Sequence, residues 1–198
     1  MTIYALSSGP GLSGLAVIRV SGEGALNIIQ KITNEQTPTP RVATLRNIRK
    51  FGSDEIIDRG IILWFPGPGS YTGEDLIELH IHGSLAVINE IQNTLSKFEN
   101  CRLAEPGEFT KLAFQNGKIN LLEAESIGDL ISAETEIQRR QAIDIMSGLQ
   151  GKKFESWRSK LVKILSNLEA KIDFPEEDLP KDIPVSYTHL TLPTKRNV

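Results

Sequence analysis

Apolar and polar residues alternate over several short runs in the first 100 positions, with the two-residue period of β-strands. Two longer runs place apolar residues three and four positions apart, which predicts helices. The first helix starts at Ser21, as N-cap, and runs to about Ile32; the second runs from Ser84 to about Phe98. The predicted strands cover 3–6, 15–20, 42–48, 57–65 and 75–82. This order of elements predicts an α+β domain.

The pattern changes near Asn120, because strand signals and proline almost disappear from there to Asp173. Apolar residues at helical spacing predict long helices over this stretch, with Asn120 as an N-cap. A shorter helix is expected to begin after Pro106 and to end near Gly117. Between positions 138 and 163 there are seven basic residues against two acidic ones. We interpret this excess as a solvated helical face rather than an RNA-contacting surface.

Composition narrows the class of protein. The 198 residues are 39% hydrophobic and 24% charged, with a net charge of −3, which argues against a broad electrostatic footprint for nucleic acid. A single cysteine, Cys101, excludes an internal disulfide framework and suits a reducing compartment. The sequence shows neither a signal-peptide pattern nor an apolar run near the roughly 18 residues that a membrane span needs. We expect a soluble, cytoplasmic protein without membrane contact.

The final stretch does not continue the helical pattern. "PVSYTHLTLPTKRNV" starts at Pro184, contains no acidic residue and has no helical period. We therefore expect residues 184–198 to be an unrelated tail outside the fold.

Several catalytic motifs are missing from these 198 residues. They contain no G-x-x-x-x-G-K-[S/T] phosphate loop, no G-x-G-x-x-G after a strand, no G-x-S-x-G turn and no Cys-x-x-Cys pair. The sequence therefore assigns no catalytic residue, and nothing in it supports nucleotide hydrolysis by this chain alone.

The predicted strand at 75–82 carries Glu78, His80 and His82 on one face, because side chains alternate along a strand. A His-x-His pair on a strand is compatible with zinc, but no further group of ligands accompanies it, and we assign no metal ligand. A polar face that lines a pocket or an interface is the favoured alternative. Glu78, between two apolar neighbours, needs a partner, either a cation or a ligand with two adjacent N–H donors.

Four stretches together resemble the N-terminal part of the MnmE (TrmE) family of bacterial tRNA-modification GTPases, over about positions 1–183. They are "SGPGLSGLAVIRVSG", "WFPGPGSYTGEDLIELHIHGS", "AEPGEFTKLAFQNGKINLLEAESIGDLI" and "AKIDFPEED". The resemblance implies an N-terminal domain of the tetrahydrofolate-binding type that forms a homodimer. It also implies a helical domain interrupted by a G domain that hydrolyses GTP with Mg²⁺ and K⁺. With MnmG, an FAD protein, the family modifies carbon 5 of the wobble uridine of tRNA, using a folate one-carbon unit.

The resemblance implies domain bounds for this chain. Residues 1–118 correspond to the folate-binding and dimerisation domain, 119–183 to the start of the helical domain, and 184–198 to the unrelated tail. The G domain is not encoded here, so we expect the chain to keep folate binding and homodimerisation only, with GTP, Mg²⁺ and K⁺ belonging to the full-length protein.

The family's folate contacts correspond to Arg19 in "VIRVSG", Glu78 in "ELHIH" and Lys118 in "NGK". On this resemblance a tetrahydrofolate derivative binds with its pterin N–H groups on the Glu78 carboxylate. Which folate groups meet Arg19 and Lys118 is left open. One departure is Leu12, which stands where many relatives have an arginine.

Two alternatives are carried forward. One is a stand-alone folate-dependent aminomethyl-transfer enzyme, which shares the related domain but lacks the helical continuation. The other is a non-catalytic dimerisation module with an empty pocket.

Overall fold

The computed structural model describes residues 1–9 and 11–173. The chain divides into two compact units, one of residues 1–124 and one that begins at Glu125. The first unit combines a sheet with helices and the described part of the second is helical, so the expected α+β class is confirmed. The predicted tail at 184–198 lies outside the described residues.

Six strands of the first unit form one mixed sheet in the order β3-β4-β5-β2-β1-β6. All neighbouring strands are antiparallel except β1 and β6, which are parallel. The strands are β1 (Thr2–Leu6), β2 (Ser13–Ser21), β3 (Thr44–Arg49), β4 (Ile56–Phe65), β5 (Leu76–Gly83) and β6 (Cys101–Leu103). Strand β5 thus lies near the middle of the sheet, where hydrogen bonding on both edges fixes its register.

Helices α1 (Ala25–Thr33) and α2 (Leu85–Leu95) contact one face of this sheet. Their apolar stripes, which include Ile29 and Ile91, pack against the inward side chains of the strands, such as Ile18 and Leu79, all almost fully buried. This single core follows from the two periodicities of the sequence, two in the strands and about 3.6 in the helices.

One predicted cap is wrong. Ser21 belongs to the end of β2, and α1 begins after Gly24 without a side-chain cap. The Ser21 hydroxyl is buried and lies 2.7 Å from the Thr72 hydroxyl, so its hydrogen bond serves a loop and not a helix. The predicted cap at Asn120 is confirmed, since Asn120 Oδ1 accepts from Glu123 N. The helix predicted from Ser84 has Ser84 as its N-cap, and Ser84 Oγ accepts from Val87 N.

The other face of the sheet carries the polar residues of β5. Ile77, Leu79 and Ile81 point into the core, so Glu78 and His80 point to the opposite face. Glu78 lies between Leu63 of β4 and Arg19 of β2 in the strand register, and His80 lies between Ile61 and Val17. This second face therefore has a polar centre, formed by Arg19, Glu78 and His80, with apolar side chains of β4 and β2 beside it.

The remaining helices are α3 (Glu108–Gln115) in the first unit, α4 (Leu121–Ser132) across the boundary, and α5 (Glu136–Met146) and α6 (Leu149–Asp173) in the second. Helix α5, which the sequence pattern did not resolve, starts at a capping box between Thr135 and Gln138. Helix α6 packs on α5 and leaves much of its predicted apolar stripe exposed, including Leu161, Leu165 and Leu168.

Candidate functional site

Arg19 and Glu78 face each other directly across β2 and β5. Arg19 Nη2 donates to Glu78 Oε1 over 2.7 Å, and Arg19 Nε donates to the same oxygen over 3.2 Å. Both side chains are half-buried, with 26% and 18% of their surfaces exposed. The predicted need of Glu78 for a cationic partner is thus met within the chain, while its second oxygen, Oε2, accepts no hydrogen bond among the described residues.

Two aromatic rings flank the Arg19 guanidinium. Its central carbon lies 5.5 Å from the ring centroid of Tyr71 and 5.5 Å from that of Phe109. Tyr71 belongs to the loop between β4 and β5, and Phe109 to the first turn of α3. The Tyr71 hydroxyl lies 3.0 Å from that of Thr110, which ties the loop to the helix. The two 5.5 Å distances from the guanidinium carbon to the rings are within the range of cation–π attraction.

The third predicted residue, Lys118, lies at the exposed turn after α3. Its Nζ donates to the carbonyl oxygen of Pro68 over 2.8 Å. Nearby, Asn116 Nδ2 donates to Thr72 O over 2.7 Å, so two side chains of this turn hold the loop at 66–75. The structure thus brings Arg19 and Glu78 into contact and places Lys118 against the same loop that carries Tyr71.

The two histidines of β5 lie in different surroundings. His80 Nε2 is 3.5 Å from Glu78 Oε2, and it is a buried atom without a hydrogen-bond partner within residues 1–9 and 11–173. His82 is exposed, and its Nδ1 lies 2.7 Å from Asp58 Oδ1. Partial burial raises the pKa of Asp58, but hydrogen bonds from the backbone and ring of His82 and from Arg59 N outweigh it and lower this pKa overall.

Other features of the described residues add nothing to this site. Within them, no group of three or more metal-ligating side chains is placed to hold a metal ion. Burial raises the pKa of the Cys101 thiol to about 11, so it is not a thiolate nucleophile at neutral pH. A cavity of about 790 Å³ near the N-terminus is lined by residues of both charges, including Glu23, Lys31 and Lys97, and by none of the three predicted site residues.

The sequence did not reveal the roles of Tyr71 and Phe109. Tyr71 lies within the motif "SYTGED", where a lone aromatic residue in a polar loop is a usable signal, but its contact with Arg19 joins segments 52 positions apart. Phe109 matched the apolar spacing of a helix core, and this spacing does not show which partner it meets.

Comparison with known proteins gives the family. Residues 2–118 match the family model described as GTP-binding protein TrmE N-terminus, and residues 121–190 match that of the MnmE helical domain. The chain belongs to the MnmE (TrmE) family. The second match extends seven residues into the predicted tail.

Individual relatives agree with this assignment. The tRNA modification GTPase MnmE of Pelagibacter ubique is 67% identical over 183 residues, which cover 92% of this chain and 41% of that protein. A mitochondrial protein of Danio rerio, named 5-taurinomethyluridine-[tRNA] synthase subunit GTPB3, is 49% identical over 91% of this chain and 36% of its own length. The chain thus spans about two fifths of the length of these MnmE relatives. In the part that the structure describes, no helix is both long and apolar enough to cross a membrane.

Proposed function

We propose that residues 1–118 bind a tetrahydrofolate derivative through Arg19, Glu78 and Lys118. The observation that carries this proposal is the Arg19–Glu78 pair, with its 2.7 Å hydrogen bond on the sheet face opposite the core helices. A carboxylate held by one oxygen leaves the other for a ligand, and the aminopyrimidine edge of a pterin offers N–H donors. Family membership supports the same assignment.

The donor set fits such a ligand. Glu78 Oε2 is an acceptor without a hydrogen bond among the described residues, and the buried His80 Nε2, 3.5 Å from it, also forms no hydrogen bond there. Since Arg19 uses Nε and Nη2 on Glu78, its Nη1 remains as a donor for a carbonyl oxygen of the ligand. A flat ring with both donors and acceptors on one edge would satisfy these groups together.

Lys118 suits the opposite end of the ligand. Its ammonium group lies at an exposed turn and is held by one carbonyl oxygen, that of Pro68. A carboxylate is a stronger partner for an ammonium group than a neutral carbonyl is. We therefore assign Lys118 to the glutamate tail of the folate, where charge remains in contact with water.

The wider function follows the family. We propose that the complete protein works with MnmG, the FAD protein, to modify carbon 5 of the wobble uridine of tRNA in the cytoplasm, with an aminomethyl or carboxymethylaminomethyl group as product. The folate supplies the one-carbon unit. GTP hydrolysis, with Mg²⁺ and K⁺, belongs to a G domain outside the matched residues, and residues 119–183 form the start of the helical domain.

Homodimerisation through the N-terminal domain is part of the proposal. Leu45 and Ile61 lie opposite each other on β3 and β4, in the cross-strand row that includes His80, and they are 55% and 41% exposed. Leu15 on β2 is 56% exposed. Exposed apolar side chains grouped beside a polar site are typical of a protein interface. A second copy of the domain would remove them from water.

The alternatives are less well supported. A stand-alone aminomethyl-transfer enzyme does not account for the helical-domain match at 121–190. A dimerisation module without a ligand does not account for Glu78 Oε2 and His80 Nε2, which lie 3.5 Å apart and form no hydrogen bond within the described residues.

Titration of the 198-residue chain with tetrahydrofolate, kept anaerobic, tests the proposal. We expect saturable heat in calorimetry and a melting temperature that rises with ligand concentration, since a ligand that binds only the folded state stabilises it by mass action. Light scattering on the same samples should give twice the mass of the chain. A well-folded dimer that shows neither binding heat nor a higher melting temperature with tetrahydrofolate would refute folate binding. A monomer that binds tetrahydrofolate would refute only the proposed dimer.

A further inference from the structure

We propose that Tyr71 and Phe109 are positioning residues of the folate site, which fix the Arg19 guanidinium so that it holds one oxygen of Glu78 and leaves the other free. This inference rests on the proposed function for its consequence in ligand binding. Its structural part, that the two rings restrain Arg19, stands without any ligand. We refer to Tyr71 and Phe109 as the aromatic pair.

The geometry of the ion pair is the first step. An arginine that meets a carboxylate without other restraints tends to use two parallel N–H groups on both oxygens. Here Nε and Nη2 both donate to Oε1, over 3.2 and 2.7 Å. The guanidinium is therefore offset toward one side of the Glu78 carboxylate. This offset is what keeps Oε2 available.

The aromatic pair accounts for the offset. Both rings lie 5.5 Å from the guanidinium carbon, so the cation is attracted to positions set by the loop and by α3, as well as to Glu78. A long arginine side chain loses considerable rotamer freedom when it is fixed, and contacts with flat rings offset part of that loss. The rings thus stabilise one orientation of an otherwise flexible side chain.

Both rings are themselves held in place. The Tyr71 hydroxyl is 3.0 Å from that of Thr110, and the hydroxyl of Thr72 next to it is bonded to buried Ser21. On the other side, Arg102 of β6 donates to Glu108, the first residue of α3, over 2.9 Å. That hydrogen bond lowers the pKa of the Glu108 carboxyl, so Glu108 and Arg102 remain an ion pair at neutral pH.

The test uses Tyr71→Met and Phe109→Met, which keep apolar bulk but remove the ring. The first measurement is solvent exchange of the Arg19 Nε proton by NMR, without ligand. Each variant should accelerate exchange about two- to fivefold, the factor that corresponds to one cation–π contact at a partly exposed site. Phe114→Met, a change of an exposed ring on the same helix, should leave the rate unchanged. Equal exchange rates in wild type and both variants would overturn the proposal.

The second measurement is a double-mutant cycle on tetrahydrofolate affinity. In the wild-type background each variant should weaken binding about two- to fivefold. In an Arg19→Met background neither should weaken it further, because the rings act through Arg19. An equal loss in both backgrounds would show that the rings contact the ligand directly, which contradicts a positioning role.

Conservative variants separate positioning from folding. Phe109→Tyr keeps the ring and should keep exchange and affinity within about twofold of wild type. Tyr71→Phe and Thr110→Val both keep the ring and remove the hydrogen bond between Tyr71 and Thr110, so these two variants should exchange at the same rate as each other and more slowly than Tyr71→Met. If the methionine variants unfold in melting experiments, Tyr71→Leu and Phe109→Leu replace them, and loss of folding in all four would refute a role limited to Arg19. Absence of folate binding by wild type would refute the proposed function, while the exchange measurement would still decide the role of the aromatic pair.

Discussion

Arg19 and Glu78 occupy directly opposed positions on adjacent antiparallel strands, and one carboxylate oxygen receives both hydrogen bonds from the guanidinium. Opposite charges in such a cross-strand position stabilise the sheet modestly, by about 0.2 to 1 kcal/mol. The same pair presents a second carboxylate oxygen on the face of the sheet away from the core helices. A contact with a small structural contribution thus becomes the centre of the proposed folate site.

Lys118 provides a prediction about ligand orientation. Lys118→Met should weaken binding of tetrahydrofolate about two- to fivefold, as expected for one exposed ion pair. Binding of methyltetrahydropterin, which has neither the aminobenzoyl group nor the glutamate tail and so carries no carboxylate, should be the same in variant and wild type. Calorimetry with both compounds checks this. Equal losses for the two compounds would place Lys118 at the pterin instead.

Asp58 provides a prediction about pH. Its folded-state pKa is lowered, so its ionised form stabilises the fold above the ordinary value of 3.8, and this stability is lost as the pH falls through the folded-state pKa. We expect Asp58→Asn to lower the free energy of unfolding by about 1 to 3 kcal/mol at pH 7.

Urea unfolding at a series of pH values measures this difference. It should shrink as the pH falls below 3.8, where the unfolded state takes up a proton first, and the loss is complete once the pH is below the lowered folded-state pKa of Asp58. Asp54→Asn, a change of an exposed carboxylate nearby, is the control and should have little effect at any pH. A difference between wild type and Asp58→Asn that stays constant down to pH 2 would contradict the role assigned to the charge.

GTP provides a negative prediction for the chain as it stands. Since its 198 residues contain no phosphate-binding loop motif, the purified chain should show no saturable GTP turnover at micromolar concentrations. The longer Pelagibacter ubique relative, assayed alongside in K⁺ and Mg²⁺, is the positive control. Saturable turnover by the 198-residue chain would contradict this prediction.

The fold could be predicted from sequence where one periodicity dominated. Strand β5 was predicted within one residue at each end, because its alternation of apolar and polar residues is strict. The short strand β6 was missed, because its three residues pair in parallel with β1 and carry no pattern of their own. Ser21 was misassigned as a cap, since a serine before a helix is a general signal and its actual partner, Thr72, is distant in sequence.

The site could be predicted only in part, because its residues meet through contacts between segments far apart in sequence. The alternation in β5 placed Glu78 on one face with the two histidines and indicated that it needs a partner, but only the strand register identifies that partner as Arg19. Phe109 followed a helical spacing that fits a core equally well. Contacts between segments far apart in sequence depend on the assembled sheet, and local patterns do not contain that information.

The substitution Glu78→Gln tests the folate site most directly. It preserves the shape of the side chain, but it replaces one acceptor oxygen with a donor and removes the charge that holds Arg19. Glu55→Gln, at an exposed carboxylate in the turn just before β4, is the matched control. Calorimetry with tetrahydrofolate should show affinity about ten- to a hundredfold weaker for Glu78→Gln, and affinity equal to wild type for Glu55→Gln, while light scattering still shows a dimer. A Glu78→Gln variant that binds tetrahydrofolate as tightly as wild type would contradict the assignment of the site.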